Sequence, residues 1–458
     1  MGRGIVQLFA QAGHTVKTFD AIEGTARKAV DCVNGMIARN VQKGRVTEAA
    51  ADAIAARMQA CTRLEELADC DLVIEAIVED LEHKRKLFAA LEDIVSPQAL
   101  LASNTSSLVV SEIAAKCRHS GRVAGLHFFN PVPLMKVAEV VAAVRTALAT
   151  VDTLAAIVQA CGHRAVVTSD QPGFLVNHAG RGRYTEGPRA LEEQVASHAD
   201  IDALLRDAAG FRMGPFELMD LTGLDVSGRV MESLYEQFQQ EPRFRPSSLV
   251  RPRIAAGLYG RKTGVGWYRD VGDRVDEPTS PVPSLPAGLK VWVDPAANAA
   301  QALSALAQAA GAEVVRERAA DCLHVVQPWG VDATSHCIEQ GLDASCCVAI
   351  DPLPPLDQRR TVMLTVSTRP EFRDAARALF VADGVPVTVI NDSPGFVVQR
   401  VLATIVNIAA NIAQRGIASA VDPRQSSAQQ SCKIESRDIR DYPISTRTLR
   451  FLLAGGRR

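Results

Sequence analysis

The segment from Ala102 to Val140 limits the possible folds of this chain more than any other. It holds most of two short apolar runs, at residues 100–103 and 123–129, and both are followed by polar residues. Pro131 cannot donate to a β-ladder, so the second run has to end as a strand before it. Ligands of open α/β sheets bind beyond the carboxyl ends of the strands. The pattern therefore predicts an α/β sheet with a functional edge at these two strand ends.

An amide, a hydroxyl and an imidazole are expected at that edge. Asn104 and Ser106 follow the first run, and His127 lies near the end of the second. Glu139 falls on what we predict to be the next strand, where its carboxylate would hold one imidazole nitrogen while the other faces a substrate. That is the arrangement of a general base. The alternative is a buried core histidine with a satisfied ring, since apolar residues flank His127 on both sides.

Composition narrows the class of protein. The length of 458 residues predicts roughly three domains. Hydrophobic residues make up 47% and charged residues 22%, as in ordinary globular proteins. The net charge of −2 and the aromatic content of 5% argue against a nucleic-acid partner. The sequence shows no apolar run of the length a membrane span needs, so we also expect no membrane partner.

The cysteines bear on compartment and metal binding. The chain has ten, without a Cys-x-x-Cys pair or zinc-ligand spacing. Scattered single cysteines are typical of reduced thiols, so we expect a cytoplasmic protein without a metal site. We also expect no signal peptide ahead of the fold.

Three strings together identify a family resemblance. Ser-Asn-Thr-Ser-Ser at 103–107, His-Phe-Phe-Asn-Pro at 127–131 and Glu-Val at 139–140 resemble the 3-hydroxyacyl-CoA dehydrogenase family. The resemblance covers residues 1–270 closely and 285–420 more loosely. It implies NAD-dependent oxidation of an (S)-3-hydroxyacyl-CoA to a 3-oxoacyl-CoA, a step of fatty acid β-oxidation, with NAD as cofactor and no metal.

The resemblance also implies roles for five residues. His127 would be the general base, and Glu139 would orient its ring and stabilise its cation. Ser106 and Asn177 would hydrogen-bond the substrate oxygen. Asn104 would fix the thioester region or the nicotinamide edge. The acyl group stays open, because four-carbon and dicarboxylic groups both fit. Two other interpretations remain: a dehydrogenase of free hydroxy acids or sugar acids, and a non-catalytic remnant.

Four further positions match the cofactor side of the family. Met1-Gly2 match only the tail of the glycine turn, since the first strand and first two glycines are absent. Asp20 would hold the adenosine ribose, and Glu79 and Lys84 would line the nicotinamide side. Asp20 as a polar strand end, and Glu79 and Lys84 as a solvated helix start, are the alternatives. Without its first strand, the chain as written is expected to bind NAD poorly, to be marginally stable and to associate.

Helical patterns surround these motifs. Residues 4–12 have an apolar face at helical spacing, and residues 21–68 read as helix throughout. In the family this second region leans over the CoA end of the substrate. Basic residues there would meet phosphates or form a solvated face: Arg39, Lys43 and Arg45.

The chain repeats itself weakly. The string around Pro172-Gly173-Phe174 recurs around Pro394-Gly395-Phe396. Aligned through Asn130-Pro131 and Asp351-Pro352, the repeat puts Val348 opposite His127 and Arg360 opposite Glu139. Gln399 then stands where Asn177 stood. A valine cannot accept a proton, so the second half is predicted to be catalytically empty.

The predicted fold is α/β: a Rossmann-like NAD-binding domain and an all-α C-terminal domain, then a degenerate Rossmann-like unit and a partial second helical domain. Homo-oligomer contacts are expected on the helical domains. After about Ala420 the sequence becomes rich in Ser, Gln and Arg, which indicates a disordered tail or a frame-shifted end. The predicted segments are the NAD-binding domain 1–168, helical domain 169–270, linker 271–287, degenerate unit 288–390, partial helical domain 391–420 and irregular tail 421–458.

Overall fold

The computed structural model describes residues 1–271, 274–275 and 281–417. Within them the chain forms two compact units, Met1–His178 with residues 412–417, and Ala179–Asn411. The predicted tail at 421–458 and part of the predicted linker lie outside the described residues.

The first unit carries the predicted NAD-binding domain. Its strands are β1 (Val16–Thr18), β2 (Met58–Ala60), β3 (Leu72–Glu75), β4 (Leu100–Ser103), β5 (Val123–Phe128), β6 (Val137–Ala142) and β7 (Arg164–Ser169). Its helices are α1 (Gly2–Gln11), α2 (Thr25–Gln42), α3 (Glu48–Ala55), α4 (Leu81–Ile94), α5 (Val110–Ala114), α6 (Leu148–Ala160) and α7 (Val176–Ala179).

The strands of this unit form two separate sheets. β1 and β2 pair in parallel, with Val16 opposite Met58. The other five strands pair in the order β3-β4-β5-β6-β7, and only β5 and β6 are antiparallel. Among the described strands β1 pairs only with β2, and β3 only with β4. Within the described residues, each of these two strands therefore has one edge without a strand partner.

Helix α1 links the two sheets. Its residues Ile5, Leu8 and Phe9 are buried in one apolar cluster. Val16 of β1 and Ile74 of β3 pack against that same cluster. The helix begins at Gly2 rather than at the predicted Gly4.

The prediction of continuous helix over residues 21–68 is wrong. α2 and α3 are separate helices, and Thr47 caps the second by accepting a hydrogen bond from the amide of Ala50. Residues 58–60 form β2 instead of a third helical turn. Pairing with β1 supplies their hydrogen bonds, and Met58 turns inward while Gln59 stays exposed. This tertiary pairing overrides the helical character of the local sequence.

The second unit combines a helical part with a second sheet. Its helices are α8 (Arg181–Glu192), α9 (His198–Asp207), α10 (Pro215–Thr222), α11 (Leu224–Gln237), α12 (Val250–Ala255), α13 (Ala300–Ala309), α14 (Ala333–Gln340), α15 (Pro370–Val381) and α16 (Val397–Gln414). Its strands are β8 (Asp270–Val271), β9 (Arg274–Val275), β10 (Lys290–Val293), β11 (Glu313–Val314), β12 (Leu323–Val326), β13 (Cys347–Ile350), β14 (Arg360–Leu364) and β15 (Val387–Ile390).

The second sheet is Rossmann-like, as predicted. Six strands pair in the order β11-β10-β12-β13-β14-β15, again with one antiparallel pair, β13 and β14. The linker prediction needs a small correction, because β8 and β9 pair as a short antiparallel hairpin in that region.

Among the described residues, one helix is long and apolar enough to cross a membrane by length and composition, although Arg400 and Asn407 interrupt its apolar residues. α16 has 18 residues and a mean hydropathy of 1.2. Val401, Leu402 and Ile408 on one face are buried in the protein. Core helices pass the same test, so this finding rests on length and composition alone.

Shared hydrogen bonds show which residues of the two sheets correspond. An aspartate after the last strand accepts hydrogen bonds from the first two amides of a helix in each: Asp170 from Val110 and Ser111, Asp392 from Ala333 and Thr334. The paired strands extend this correspondence across each sheet. In the first sheet Val141 pairs with Thr168 and Gly125, and in the second Met363 pairs with Ile390 and Ala349.

This register overturns the predicted alignment of the catalytic pair. Asp351 lies opposite Thr361, and its backbone amide donates a hydrogen bond to the carbonyl oxygen of Thr361. These two residues occupy the positions that His127 and Glu139 have in the first sheet. Val348 pairs with Leu364 instead. The alignment slipped because the connection between the two strands is shorter in the second sheet. An acid, and not a valine, therefore stands at the histidine position.

Candidate active site

The site is built around a hydrogen-bonded pair on adjacent strands. The antiparallel register of β5 and β6 puts His127 directly opposite Glu139. Nδ1 of His127 lies 2.7 Å from Oε2 of Glu139, and the two side chains are only 7% and 0% exposed. Because Nδ1 faces the carboxylate, Nε2 is the nitrogen that can face a ligand.

The other oxygen of Glu139 is also engaged. Oε1 accepts hydrogen bonds from the backbone amides of Leu175 and Val176, at 3.0 and 2.8 Å. The turn before them brings these amides inward, with positive φ angles of 71° at Gly173 and 50° at Phe174. Only a residue without a side chain adopts such a backbone freely, which accounts for Gly173. With both oxygens bound, the carboxylate is fixed in orientation.

Asn104 joins the ends of three strands. Its side-chain oxygen accepts a hydrogen bond from the amide of Phe128, next to His127, at 2.8 Å. The backbone amide of Asn104 donates to the carbonyl oxygen of Glu75 at 2.8 Å. The neighbouring loop is held from the helical side, because Nδ2 of Asn177 donates to the carbonyl oxygen of Ser106 at 3.2 Å. The structure thus brings together the four predicted catalytic residues and Asn104.

Glu79 organises the loop that carries Ser106. Its Oε1 accepts hydrogen bonds from hydroxyls and amides of that loop: the Thr105 hydroxyl, the Ser106 amide, and the amide and hydroxyl of Ser107. Burial alone would raise the pKa of Glu79, but the Lys84 ammonium and these hydrogen bonds lower it below its ordinary value. Glu79 therefore stays an anion that accepts from the loop.

Lys84 does not lie on a solvated helix surface. Its side chain is 1% exposed, and its ammonium contacts Oε1 of Glu75 at 2.7 Å and Oε2 of Glu79 at 3.2 Å. Sequence reasoning missed Glu75. The available signal was a glutamate at the end of an apolar strand, where burial requires a cation or several donors.

Gly2 and Asp20 lie beside the smaller sheet of the first unit. Gly2 is the first residue of α1, and a Cβ there would meet nothing within 4 Å. Asp20 follows β1, is exposed, and accepts a hydrogen bond from the amide of Ile22. No hydrogen bond within the described ranges joins either residue to the His127 group. An uncrowded helix start and an exposed acid are the groups that a dinucleotide's pyrophosphate and ribose need.

No cluster of three or more His, Cys, Asp or Glu side chains in the described part of the chain has a metal-binding arrangement.

Two family models match the chain. The one described as 3-hydroxyacyl-CoA dehydrogenase, NAD binding domain, matches residues 1–171. The one described as 3-hydroxyacyl-CoA dehydrogenase, C-terminal domain, matches residues 173–270.

Curated relatives extend the similarity beyond these domains. The 3-hydroxyadipyl-CoA dehydrogenase of Escherichia coli (strain K12) is 35% identical over 426 residues, covering 92% of this chain and 84% of that protein. The mitochondrial hydroxyacyl-coenzyme A dehydrogenase of Sus scrofa is 37% identical over 276 residues, covering 59% of this chain and 88% of that protein.

Solved structures give the same division. The crystal structure of 3-hydroxybutyryl-CoA dehydrogenase from Escherichia coli K12 substr. MG1655 matches with a TM-score of 0.80 and 32% identity, covering 99% of this chain and 89% of that one. The (S)-3-hydroxybutyryl-CoA dehydrogenase of Ralstonia eutropha matches with a TM-score of 0.57 and 35% identity, covering 59% of this chain and 95% of that one.

Proposed function

The chain belongs to the 3-hydroxyacyl-CoA dehydrogenase family, and from that premise we propose how its residues oxidise an (S)-3-hydroxyacyl-CoA. It is an NAD-dependent enzyme that converts a 3-hydroxyacyl-CoA to a 3-oxoacyl-CoA. Bound NAD supplies the redox chemistry by accepting a hydride from C3. The observation that supports the residue roles is the buried His127–Glu139 pair at the strand ends.

His127 acts as the general base. With Nδ1–H donated to Glu139, Nε2 carries a lone pair and accepts the proton of the C3 hydroxyl. The C3–O bond becomes a carbonyl as the hydride leaves, so the substrate loses one hydride and one proton. In the reverse direction the imidazolium returns the proton.

Glu139 holds the imidazole in one tautomer. Its Oε2 accepts from Nδ1, and its Oε1 is fixed by two backbone amides. The carboxylate therefore orients the ring and stabilises the imidazolium that forms during the reaction. The same geometry disfavours the tautomer in which Nε2 carries the proton.

Ser106, Asn177 and Asn104 position the substrate and the nicotinamide. Ser106 and Asn177 are already joined to each other through the loop carbonyl, so their polar side chains act on the substrate oxygen from adjacent positions. Asn104 uses its side-chain oxygen on the strand of His127, which leaves its amide nitrogen for the thioester region or the nicotinamide edge.

Gly2, Asp20, Glu79 and Lys84 would hold the cofactor. The helix start at Gly2 offers backbone amides to the pyrophosphate, and Asp20 offers an exposed carboxylate to the adenosine ribose. Glu79 is partly exposed beside the Ser106 loop. The Lys84 ammonium directs two of its three N–H donors to Glu75 and Glu79, which leaves the third N–H for the nicotinamide side.

A substrate screen tests this function and defines the acyl group. NADH absorbance would be followed with 3-hydroxybutyryl-CoA, 3-hydroxyadipyl-CoA, a longer 3-hydroxyacyl-CoA and the corresponding free acids. We expect turnover of at least one CoA thioester and none of the free acids. Turnover of free acids alone would identify a hydroxy-acid dehydrogenase instead. NAD binding without turnover of any substrate would identify a non-catalytic remnant.

The protein is further proposed to be cytoplasmic and to self-associate through its helical domains. The nine cysteines within the described residues are all free thiols, which fits a reducing compartment. Fractionation of the native cells tests the first proposal, and light scattering behind a sizing column tests the second.

A further inference from the structure

We propose that Glu75 is a positioning residue that, through Lys84 and Ser103, sets the loop carrying Asn104 and Ser106. The proposal rests on the proposed function and concerns how its site is held in place. Glu75 ends strand β3, and its side chain is completely buried.

The hydrogen bonds of the Glu75 carboxylate lead back to this site. Oε1 accepts hydrogen bonds from the Lys84 ammonium at 2.7 Å and from the amide of Ile77 at 2.6 Å. Oε2 accepts from the hydroxyl of Ser103 at 2.6 Å. Two arms therefore leave one carboxylate, one toward the helix and one toward the neighbouring strand.

The first arm runs through Lys84 to Glu79. The ammonium bridges the two carboxylates, so the placement of Glu79 depends on Glu75. Oε1 of Glu79 then accepts from the Thr105 hydroxyl at 2.6 Å and from the Ser106 amide at 2.9 Å. An error in the position of Lys84 would therefore be transmitted to the loop.

The second arm reaches the same loop from the strand side. Ser103 donates its hydroxyl to Glu75, and its oxygen accepts from the amide of Thr105 at 3.3 Å. The amide of Asn104 donates to the carbonyl oxygen of Glu75 itself. The loop is thus held from both sides by groups that meet at Glu75.

The second half of the chain is an internal control. The strand register places Asp294 at the position that Glu75 has in the first sheet. Asp294 directly follows β10 and lies opposite Val326, just as Glu75 lies opposite Ser103. Asp294 also accepts a hydrogen bond from the backbone amide of Ala296, two residues further along the chain, as Glu75 does from Ile77. Lys84 corresponds to Leu303, which is 1% exposed in α13.

The same fold is therefore built without the buried ion pair. Leu303 fills the lysine position with apolar packing, and Val326 replaces the Ser103 hydroxyl. Replacing a buried ion pair by well-packed apolar residues is often neutral or stabilising. A sheet of this kind therefore forms without a Glu75–Lys84 type of ion pair, and the half that carries the pair is the half that carries His127 and Glu139.

The first test compares Glu75→Gln with Glu92→Gln. Glu92 is a matched control, because it also forms a buried ion pair in the first unit, with Arg122. It lies on α4, two turns after Lys84 and away from Glu75. It binds the amides of Arg118 and His119, ahead of β5 rather than at its carboxyl end. We expect Glu75→Gln to lower kcat by about 10- to 100-fold, the scale of a displaced reacting geometry, with a smaller change in KM. Glu92→Gln should lower the thermal midpoint without this loss of kcat.

Hydrogen exchange gives a readout that does not depend on turnover. The amides of Ser106 and Ser107 donate to Glu79, so they should be protected in the wild-type chain. We expect a peptide spanning 103–108 to lose protection in Glu75→Gln and to keep it in Glu92→Gln. A merely structural role of Glu75 would lower the thermal midpoint in both variants and leave this local protection equal.

A double variant covers the case in which Glu75→Gln fails to fold. Glu75→Gln with Lys84→Leu removes both charges and places at position 84 the leucine that the second half has as Leu303, so it is expected to fold. Its readout is the loss of protection at 103–108, because Lys84 is itself proposed to hold the cofactor and its removal alone would lower kcat. Wild-type kcat or unchanged protection in the folded variants overturns the proposal. Absence of turnover in the wild-type chain would instead refute the proposed function, and the exchange comparison would still decide the role of Glu75.

Discussion

Asp351 occupies in the second sheet the register position that His127 occupies in the first. Its Oδ1 accepts hydrogen bonds from the amide of Leu353 and from Nε2 of Gln399, the counterpart of Asn177. Opposite it stands Thr361, which has no carboxylate to orient a base. The second half therefore keeps a buried polar residue at this position but not the acid–base pair.

Asp351 should make stability depend on pH. Burial raises its pKa to about 6, although hydrogen bonds from Leu353 and Gln399 oppose the rise. The unfolded carboxyl loses its proton first, so the contribution of Asp351 to the free energy of unfolding should fall as pH rises from about 4 to about 6. Asp351→Asn should remove this contribution, so the variant should be more stable than the wild type at pH 7 by at most about 3 kcal/mol. Urea unfolding at pH 4 and pH 7 measures both effects.

The control for that experiment is the low-pH value. At pH 4 Asp351 is protonated in the folded chain, so the asparagine variant and the wild type should have similar unfolding free energies. If the variant and the wild type have the same unfolding free energy at pH 7 as well as at pH 4, the variant keeps the wild-type pH dependence. Asp351 is then not the titrating group.

His127→Ala should abolish activity in the full chain. Loss of a general base costs on the order of 10²- to 10⁴-fold in kcat. The second half should supply no residual turnover, because Asp351 and Thr361 replace the pair. Steady-state NADH formation measures the loss, and circular dichroism checks the fold. Activity near the wild-type level in the folded variant would show either that His127 is not the base or that the second half is active.

Glu139→Gln should act through the tautomer of His127. The amide oxygen of glutamine can accept from the amides of Leu175 and Val176, which turns its NH₂ group toward Nδ1. Nδ1 must then accept, so Nε2 carries the proton and cannot take one from the substrate. We expect a loss of about 10²- to 10⁴-fold in kcat that higher pH does not reverse. The double variant with His127→Ala should be no slower than His127→Ala, since the two residues act as one unit.

Two glycines at the start of α1 provide a matched stability test. A Cβ at Gly4 would lie 2.9 Å from Cβ of Val132, whereas one at Gly2 would meet nothing within 4 Å. Gly4→Ala should therefore lower the free energy of unfolding by about 1–3 kcal/mol through overpacking. Gly2→Ala should change it by less than about 0.5 kcal/mol. Chemical denaturation of both variants measures the difference, and equal values would place α1 differently against Val132.

Local sequence was sufficient where a motif fixed both residue type and spacing. The strand ends at Ser103 and Phe128 and the pairing of His127 with Glu139 follow from apolar runs, a proline stop and a carboxylate on the next strand. The first unit and the second sheet were also predictable as α/β, because both alternate short apolar runs with helical patterns.

Long-range pairing was not predictable in the same way. β2 forms only because β1 offers it an edge, and its own sequence resembles the helices before it. The register of β13 and β14 depends on the length of their connection, which an alignment through Asp351-Pro352 does not contain. Glu75 was overlooked because its partner Lys84 lies on a different element, and burial of the pair is a property of the folded unit.

The break between the two sheets of the first unit has a consequence for local unfolding. β1 and β2 have no ladder to β3 and its neighbours, so no backbone hydrogen bond between strands couples their opening within the described residues. Apolar packing couples them instead: α1 packs with Val16 and Ile74 in one cluster, and Phe19 and Cys61 pack with Leu101 in another. The segment that carries Asp20 should therefore open as a cooperative unit of its own, at a lower free energy than the sheet that carries His127.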